Sequence, residues 1–161
     1  MTNYLEQYKQ IHSKADWFGS GACFYLEEVC AIIDYLRPKT VLDYGCGKGR
    51  VGFFMTHAVN CGSIGVEYDE KLIKDAEKNL LSYSGRRDKM HFVCENAESY
   101  VVGNASCFYF FNPFSVKILF SVLGRIYDSY YENPRKMLLF FYYALDSYRT
   151  DLLNEVNLKF E

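Results

Sequence analysis

The sequence predicts an α/β fold in which helices cover both faces of a doubly wound, mostly parallel sheet. Short apolar runs alternate with longer segments whose apolar residues recur at helical spacing, which is the pattern of β-α-β units. A glycine-rich stretch also joins the first of these apolar runs to the amphipathic segment that follows it. The 161 residues are enough for one domain with its own core, so we expect a single domain.

Two helices are expected before the first strand. Residues 2–12 form a short amphipathic pattern, and residues 21–36 place an apolar stripe along one side of a longer helix. Pro38 ends that helix, because the residue before a proline disfavours helical backbone. We therefore divide the chain into an N-terminal helical cap, residues 1–38, and a sheet core, residues 39–161.

The core is expected to contain five strands and four helices. Asp69 and Ser115 are predicted N-caps, because their side-chain oxygens can accept a hydrogen bond from the first turn of a helix. Residues 158–160 would begin a sixth strand. The strands are predicted at residues 40–43, 63–67, 90–94, 105–111 and 136–143, and the helices at 49–59, after Asp69, at 116–131 and at 146–156.

The composition excludes several classes of protein. Half of the residues are hydrophobic, which indicates a globular chain, and the net charge of −2 argues against a nucleic-acid partner. The six cysteines form no C-x-x-C pair and the three histidines are scattered, so no metal site is expected. The polar first ten residues and the lack of an apolar run of about 20 residues predict a cytoplasmic protein without a membrane segment.

The most informative stretch is residues 41–50, V-L-D-Y-G-C-G-K-G-R. Glycines at alternate positions let the backbone turn sharply and approach a ligand closely, since glycine has no Cβ and adopts positive φ without penalty. The following helix would then present its N-terminus to that ligand. The sequence does not match the dinucleotide-binding pattern G-x-G-x-x-G, because Arg50 stands where the third glycine belongs. It does not match the Walker pattern of phosphate-binding loops either.

Asp-x-Gly-x-Gly-x-Gly between a strand and a helix resembles the first motif of class I S-adenosylmethionine (SAM)-dependent methyltransferases. The resemblance covers about residues 20–145 and implies a Rossmann-like doubly wound sheet with S-adenosyl-L-methionine as the cofactor. On this resemblance the cofactor-binding residues of the loop are Asp43, Gly45, Cys46, Gly47 and Gly49.

Two further strand ends extend the predicted cofactor site. Glu67 ends the second strand, where an acidic residue of a doubly wound fold accepts hydrogen bonds from ribose hydroxyls. The alternative is an exposed acid at a strand end. The third strand ends at Asn96-Ala97, where the resemblance implies an Asp-Ala pair that binds adenine. Asn96 keeps an acceptor oxygen but no charge, so Glu95 is a possible substitute.

The segment Asn112-Pro113-Phe114 follows the fourth strand and supplies the predicted catalytic residues. It resembles the Asn/Asp-Pro-Pro-aromatic motif of methyltransferases that act on amino or amide nitrogen, in a short variant with one proline. The resemblance implies that Asn112 and the Pro113 carbonyl accept hydrogen bonds from the target N–H groups, while Phe114 packs against the target. The alternative is a plain turn before the Ser115 cap.

Aromatic residues outside these motifs are candidates for closing the site. Trp17 and Phe18 could fold over the ligand, or form a hydrophobic staple for the helix that follows. Tyr142 and Tyr143 could line the acceptor side, although membership of the core is the simpler interpretation. His57 is interpreted as structural, and so is His91.

The C-terminal part departs from the family. Class I methyltransferases usually finish with a sixth and a seventh strand, whereas this sequence stops at Glu161, where a sixth would barely begin. An open sheet edge invites pairing with another chain, so a homodimer, a truncated product and a minimal version are the three possibilities.

Three functions follow as hypotheses. The first is a SAM-dependent methyltransferase acting on a nitrogen of an unidentified small molecule or protein side chain. The second is a nicotinamide-dependent oxidoreductase. The third is a non-catalytic domain that binds SAM or a partner protein.

Overall fold

The computed structural model describes residues 40–142, 146–154 and 158. Five parallel strands form one sheet in the order β3-β2-β1-β4-β5, and helices lie on both of its faces. The predicted doubly wound fold class is therefore confirmed. The strands are β1 (Thr40–Tyr44), β2 (Gly62–Glu67), β3 (Met90–Cys94), β4 (Cys107–Phe110) and β5 (Leu138–Phe141). The helices are α1 (Arg50–Val59), α2 (Glu70–Ser82), α3 (Val116–Glu132) and α4 (Asp146–Leu153), and a short 3₁₀ helix (Arg87–Lys89) precedes β3.

The central strands β1 and β4 are buried on both faces. Val41 of β1 packs with α1 on one face, together with Cys107 and Tyr109 of β4. Leu42 and Tyr44 point to the other face, where the side chains of α3 and α4 cover them. This burial explains the apolar residues of both strands, which only Thr40 and Asp43 of β1 interrupt, as in parallel strands between two helical layers.

Both predicted helix caps are confirmed. The Asp69 carboxylate accepts a 2.8 Å hydrogen bond from the Lys71 N–H, and the Ser115 hydroxyl oxygen accepts from the Ile118 N–H. The last two strands are shorter than predicted, because β4 and β5 pair only over four residues each. The predicted helices at 2–12 and 21–36 lie outside the described residues, and so does most of the predicted sixth strand.

The connection from β3 to β4, residues 95–106, consists of turns and irregular backbone. It is held by side chains from α3 and from the segment after it. Arg125 donates to the Glu98 carbonyl, and the Ser129 hydroxyl donates to the Gly103 carbonyl. Arg135 contributes most, since its guanidinium donates to four backbone carbonyls, those of Gly103, Ala105, Ser129 and Asn133.

Replacing Arg135 is expected to destabilise the fold. The substitution Arg135→Ala removes the guanidinium's hydrogen bonds to these carbonyls, including both that the Ala105 carbonyl accepts from it, and we expect it to lower the free energy of unfolding by about 2–4 kcal/mol. Arg149→Ala, at an exposed position of α4, is the matched control and should change it by less than about 0.5 kcal/mol. Urea unfolding curves measure both. Equal midpoints for the two variants would contradict this role of Arg135.

Candidate functional site

The glycine loop, residues 45–49, curls over the carboxyl ends of β1 and β2. Gly45, Gly47 and Gly49 have φ values of 72°, 54° and 86°, which is the left-handed region that favours glycine. The backbone N–H groups of Gly45 and Cys46 donate to the Val66 carbonyl at 2.8 and 3.2 Å. The loop is thereby fixed to the end of β2, and α1 begins directly after it.

The three glycines serve different purposes in the structure. A Cβ at Gly45 would lie 2.5 Å from the Pro113 Cβ, and one at Gly49 would lie 2.4 Å from the Phe92 ring, so packing excludes both. A Cβ at Gly47 would meet no atom within 4 Å. The first and last glycines therefore permit close packing, while Gly47 faces open space above the sheet.

Glu67 joins β2 to the glycine loop. One of its carboxylate oxygens accepts from the Gly47 N–H at 3.1 Å, and the other accepts from the N–H groups of Tyr68 and Asp69 at 2.9 and 3.1 Å. A carboxylate offers about four acceptor positions, so it can accept one more hydrogen bond from a ligand. The side chain that was predicted to bind ribose thus also orders the loop.

Asp43 lies at the end of β1 beneath the loop and is only 2% exposed. Its Oδ2 atom has no hydrogen-bond partner within the described part of the chain. Burial, and then the charge of Glu67, raise the pKa of the Asp43 carboxyl well above its usual range. A buried, unpartnered carboxylate is unfavourable, and a cationic or hydrogen-bonding group of a ligand would relieve that cost.

The raised pKa of Asp43 also makes the stability of the free protein depend on pH. Between the ordinary carboxyl pKa and the raised one, the folded chain binds a proton at Asp43 that the unfolded chain has released. The contribution of Asp43 to stability therefore falls as the pH rises through that window, and the buried charge is fully unfavourable above it.

Cys46 is buried within the loop. A Cβ at Gly65 would lie 2.6 Å from the Cys46 sulfur, which shows how closely the thiol packs on β2. Burial, followed by the charges of Asp43 and Glu67, raises the pKa of this thiol, so it stays protonated and is a poor nucleophile. Its side chain fills space beneath the loop.

A cavity of about 350 Å³ opens at the carboxyl edge of the sheet. This volume is within the range of small-molecule sites, which is about 300–1,000 Å³. Every strand from β1 to β4 contributes to it through its end or the residues just beyond. The lining residues are Gly45, Val66, Glu67, Tyr68, Glu95, Asn96, Ala97, Glu98, Pro113, Phe114 and Ile118.

Asn96 organises a turn on one side of this cavity. Its side-chain oxygen accepts from the Glu98 N–H at 2.9 Å, and its carbonyl accepts from the N–H groups of Ser99 and Tyr100. The neighbouring Glu95 N–H donates to the Glu67 carbonyl at 3.0 Å. The Asn96 oxygen is thus already engaged in local structure, while Glu95 lies beside it in the same lining.

The segment 112–114 closes the cavity on the β4 side. Asn112 has a φ of 42°, and this turn brings Pro113 onto Gly45. The Phe114 ring packs edge-on against Tyr44 and Phe110. The Tyr148 hydroxyl, 34 residues later in α4, donates to the Phe114 carbonyl and holds this segment from below.

The structure brings most of the predicted site residues together. Six of them line one cavity, namely Gly45, Glu67, Asn96, Ala97, Pro113 and Phe114. Asp43 and Cys46 are buried beneath the loop, and Gly49 packs on Phe92. Trp17, Phe18 and Tyr143 lie outside the described residues.

Sequence reasoning missed five residues of the site, one of which is Val66 of β2 in the cavity lining. Tyr68 and Glu98 line the cavity because each stands next to a predicted site segment, and position alone could have identified them. Ile118 of α3 packs against the core and also reaches the cavity. The sequence around Tyr148 does not indicate a role in the site, because its hydrogen bond to Phe114 joins distant parts of the chain.

Neither a metal centre nor a membrane segment is found in the described ranges. No three histidine, cysteine or acidic side chains there gather closely enough to hold a metal ion. None of the helices described is both long and apolar enough to cross a bilayer.

The fold is that of SAM-dependent methyltransferases. No protein-family model matches the sequence, and no curated protein matches it. Solved structures of methyltransferases do match, at identities of 13–16% for the three described below. Likenesses at such low identity establish the fold alone.

Three of these structures illustrate the likeness. An RNA methyltransferase from Salinibacter ruber with S-adenosyl-L-homocysteine (SAH) superposes with a TM-score of 0.57 at 16% identity, over 70% of each chain. The SAH-bound methyltransferase PaMTH1 from Podospora anserina superposes with a TM-score of 0.60 at 16% identity, over 78% of this chain and 56% of its own. Magnesium protoporphyrin IX methyltransferase from Synechocystis PCC 6803, with bound SAM, superposes with a TM-score of 0.58 at 13% identity, over 79% of this chain and 66% of its own.

Two alanine substitutions in the glycine loop should differ in their effect on stability. Both Gly45→Ala and Gly47→Ala place a side chain at positive φ, which costs about 1–2 kcal/mol. Gly45→Ala also forces a Cβ into Pro113, so we expect it to cost about 1–3 kcal/mol more than Gly47→Ala. Urea unfolding of the two variants measures the difference. Equal destabilisation would show that Pro113 does not pack on the loop as described.

Proposed function

We propose that the protein is a SAM-dependent methyltransferase that methylates a nitrogen atom of a small-molecule or protein acceptor. The observation that supports this most is that all four predicted site regions contribute to one cavity. The glycine loop supplies Gly45, the second strand supplies Glu67, the end of the third strand supplies Asn96, and the segment after the fourth strand supplies Pro113. A doubly wound sheet binds ligands at this edge, at the point where the strand order reverses.

The residues present fit the cofactor. Glu67 retains one acceptor position for a ribose hydroxyl after its three backbone hydrogen bonds. The unpartnered oxygen of Asp43 is suited to accept from the ammonium group of the methionine portion. Gly47 leaves open space on the same side. In this proposal Gly45, Cys46 and Gly49 shape the loop through their close packing.

The adenine ring would occupy the side of the cavity lined by residues 95–98. The backbone of Ala97 faces the ring in this proposal, and an acidic or amide oxygen accepts from its amino group. Asn96 can do this only with a second lone pair, because the Glu98 N–H already occupies its oxygen. Glu95 is the alternative acceptor in the same lining.

The cofactor supplies an electrophilic methyl group on a sulfonium ion. The chain's own contribution to such a transfer is mainly alignment, since little acid–base chemistry is needed. In this proposal Asn112 and the Pro113 carbonyl accept hydrogen bonds from the acceptor nitrogen and orient its lone pair. Phe114 packs against the acceptor and excludes water. Tyr148 keeps this segment in place through its hydrogen bond to Phe114.

The proposal is tested by calorimetry with SAM, SAH and NAD. We expect SAM and SAH to bind at micromolar concentrations and NAD to bind far more weakly. Preferential binding of NAD would instead support the oxidoreductase. Tight binding of SAM without methyl transfer to any component of a cell extract would support a non-catalytic SAM-binding domain.

Glu67→Ala is expected to weaken SAM binding by one to two powers of ten. Loss of hydrogen bonds to a charged acceptor costs about 1.5–3 kcal/mol, and about 1.4 kcal/mol is tenfold in affinity. Glu67→Gln should weaken binding as well, since its NH₂ group must face at least one of the backbone N–H donors. Calorimetry measures both variants.

Glu70→Ala is the control for this experiment, because Glu70 pairs with Lys74 on the exposed surface of α2. We expect its SAM affinity to equal that of the parent. If Glu67→Ala also binds like the parent, Glu67 is not the ribose acceptor and Asp69 is the next candidate.

Asn112→Ala is expected to slow methyl transfer by about a hundredfold or more, while SAM affinity stays near normal. Misplacement of a reacting group acts on this scale. The assay incubates the protein with radiolabelled SAM and cell extract and quantifies labelled product. Asn104→Ala, at an exposed position far along the β3–β4 connection, is the control. Full transfer activity in Asn112→Ala would mean that the segment is a structural turn.

A further inference from the structure

The outer side of α3 carries two exposed aromatic rings. Phe120 is 37% exposed and Tyr131 is 71% exposed, whereas the opposite side of the helix is buried against the sheet. With 3.6 residues per turn, five residues of the outer side fall within one sector of about 80°. These residues, which we call the α3 stripe, are Lys117, Phe120, Gly124, Asp128 and Tyr131.

Gly124 lies at the centre of the stripe, where the packing of the described residues does not require a glycine. A Cβ at this position would meet none of their atoms within 4 Å. Glycine in a helix interior is less favourable than alanine, so the choice has a cost in helix stability. What glycine permits is the close approach of another backbone. The stripe therefore has a shallow notch between the rings of Phe120 and Tyr131.

The stripe carries opposite charges on either side of this notch. Lys117 is in the first turn of α3, and Asp128 lies about 16 Å further along the helix axis. They are too far apart to pair with each other, and neither forms an ion pair with another described residue. A second copy of the stripe running antiparallel would bring Lys117 of one copy close to Asp128 of the other, whereas parallel copies would oppose like charges.

The same antiparallel arrangement also gives the rings a partner. Lys117 and Tyr131 are each seven residues from Gly124, so a twofold axis through Gly124 sets Lys117 opposite the partner's Tyr131. A lysine ammonium is attracted to the face of an aromatic ring. Phe120 then falls between the partner's Gly124 and the partner's Tyr131, where the notch can receive its ring. Each contact occurs twice, as in any contact made by the same surface of two copies.

We propose that the α3 stripe is a self-association surface through which two copies of this chain pair antiparallel about Gly124. The stripe spans about 21 Å of helix, so the contact is small and the dimer dissociates at micromolar concentrations. The proposal does not depend on the methyltransferase function, because no residue of the stripe belongs to the described lining of the cavity.

The test is sedimentation velocity of the full chain over a series of concentrations, with a charge exchange across the contact. We expect a monomer–dimer equilibrium in the parent. Lys117→Glu and Asp128→Lys each oppose like charges, and each should weaken dimerisation about fivefold or more. The double variant should restore it. Because the two residues are too far apart to interact within one copy, such a rescue identifies a contact between copies.

Gly124→Ala separates the contact from the fold. It should raise the urea midpoint of the monomer, since alanine favours the helix, while a methyl group in the notch weakens dimerisation about fivefold or more. Phe120→Lys should weaken it about tenfold, and Leu81→Lys, at a 75% exposed position of α2, is the matched control that should not. A parent that stays monomeric at every concentration, a dimer that Phe120→Lys leaves intact, or a double variant no tighter than the single ones would each overturn the proposal.

Discussion

The candidate site depends on the carboxylate of Glu67. This side chain accepts from the Gly47 N–H and from two N–H groups that follow β2, so it fixes the glycine loop to the neighbouring strand. The three glycines of the loop adopt left-handed conformations. Two hydrogen bonds to the Val66 carbonyl, a hydrogen bond from the Asn79 side chain to the Lys48 carbonyl and the contact of Gly45 with Pro113 also hold the loop. Glu67 thus shapes the loop and still presents acceptor capacity to the cavity.

Asp43 is a buried polar residue that costs stability at the edge of the sheet where the ligand site is proposed. An apolar residue would suit its position in the buried strand β1 better, as its neighbours Leu42 and Tyr44 illustrate. The chain instead buries a carboxyl whose pKa is raised and whose Oδ2 atom lacks a partner among the described residues. Unsatisfied buried groups of this kind are concentrated at functional sites, where a ligand supplies the missing interaction.

Much of the fold could be predicted from the sequence because its signals are local. The glycine loop, the Asp69 and Ser115 caps and the apolar central strands each follow from a few adjacent residues. The packing of Gly45 on Pro113 and the hydrogen bond from Tyr148 to Phe114 could not be predicted, since they join segments far apart in the chain.

The ends of β4 and β5 were also predicted too long. Apolar residues continue past both strands, and the sequence does not reveal where pairing stops. Phe111 illustrates the difficulty, because it continues the apolar run of β4 yet is half exposed. The four strand ends that supply the cavity could be identified individually, whereas their convergence on one cavity depends on the strand order, which only the structure gives.

The most direct test of the account compares the parent protein with Asp43→Asn in two measurements, the free energy of unfolding at neutral pH and the affinity for SAM. The variant removes a carboxyl whose raised pKa makes its burial unfavourable at neutral pH, without changing the shape of the side chain, so we expect the ligand-free protein to become more stable. The same change removes a charged acceptor for the cofactor's ammonium group, and SAM affinity should fall about tenfold or more. An Asp43→Asn protein that binds SAM as tightly as the parent would contradict the assignment of this edge as a SAM site.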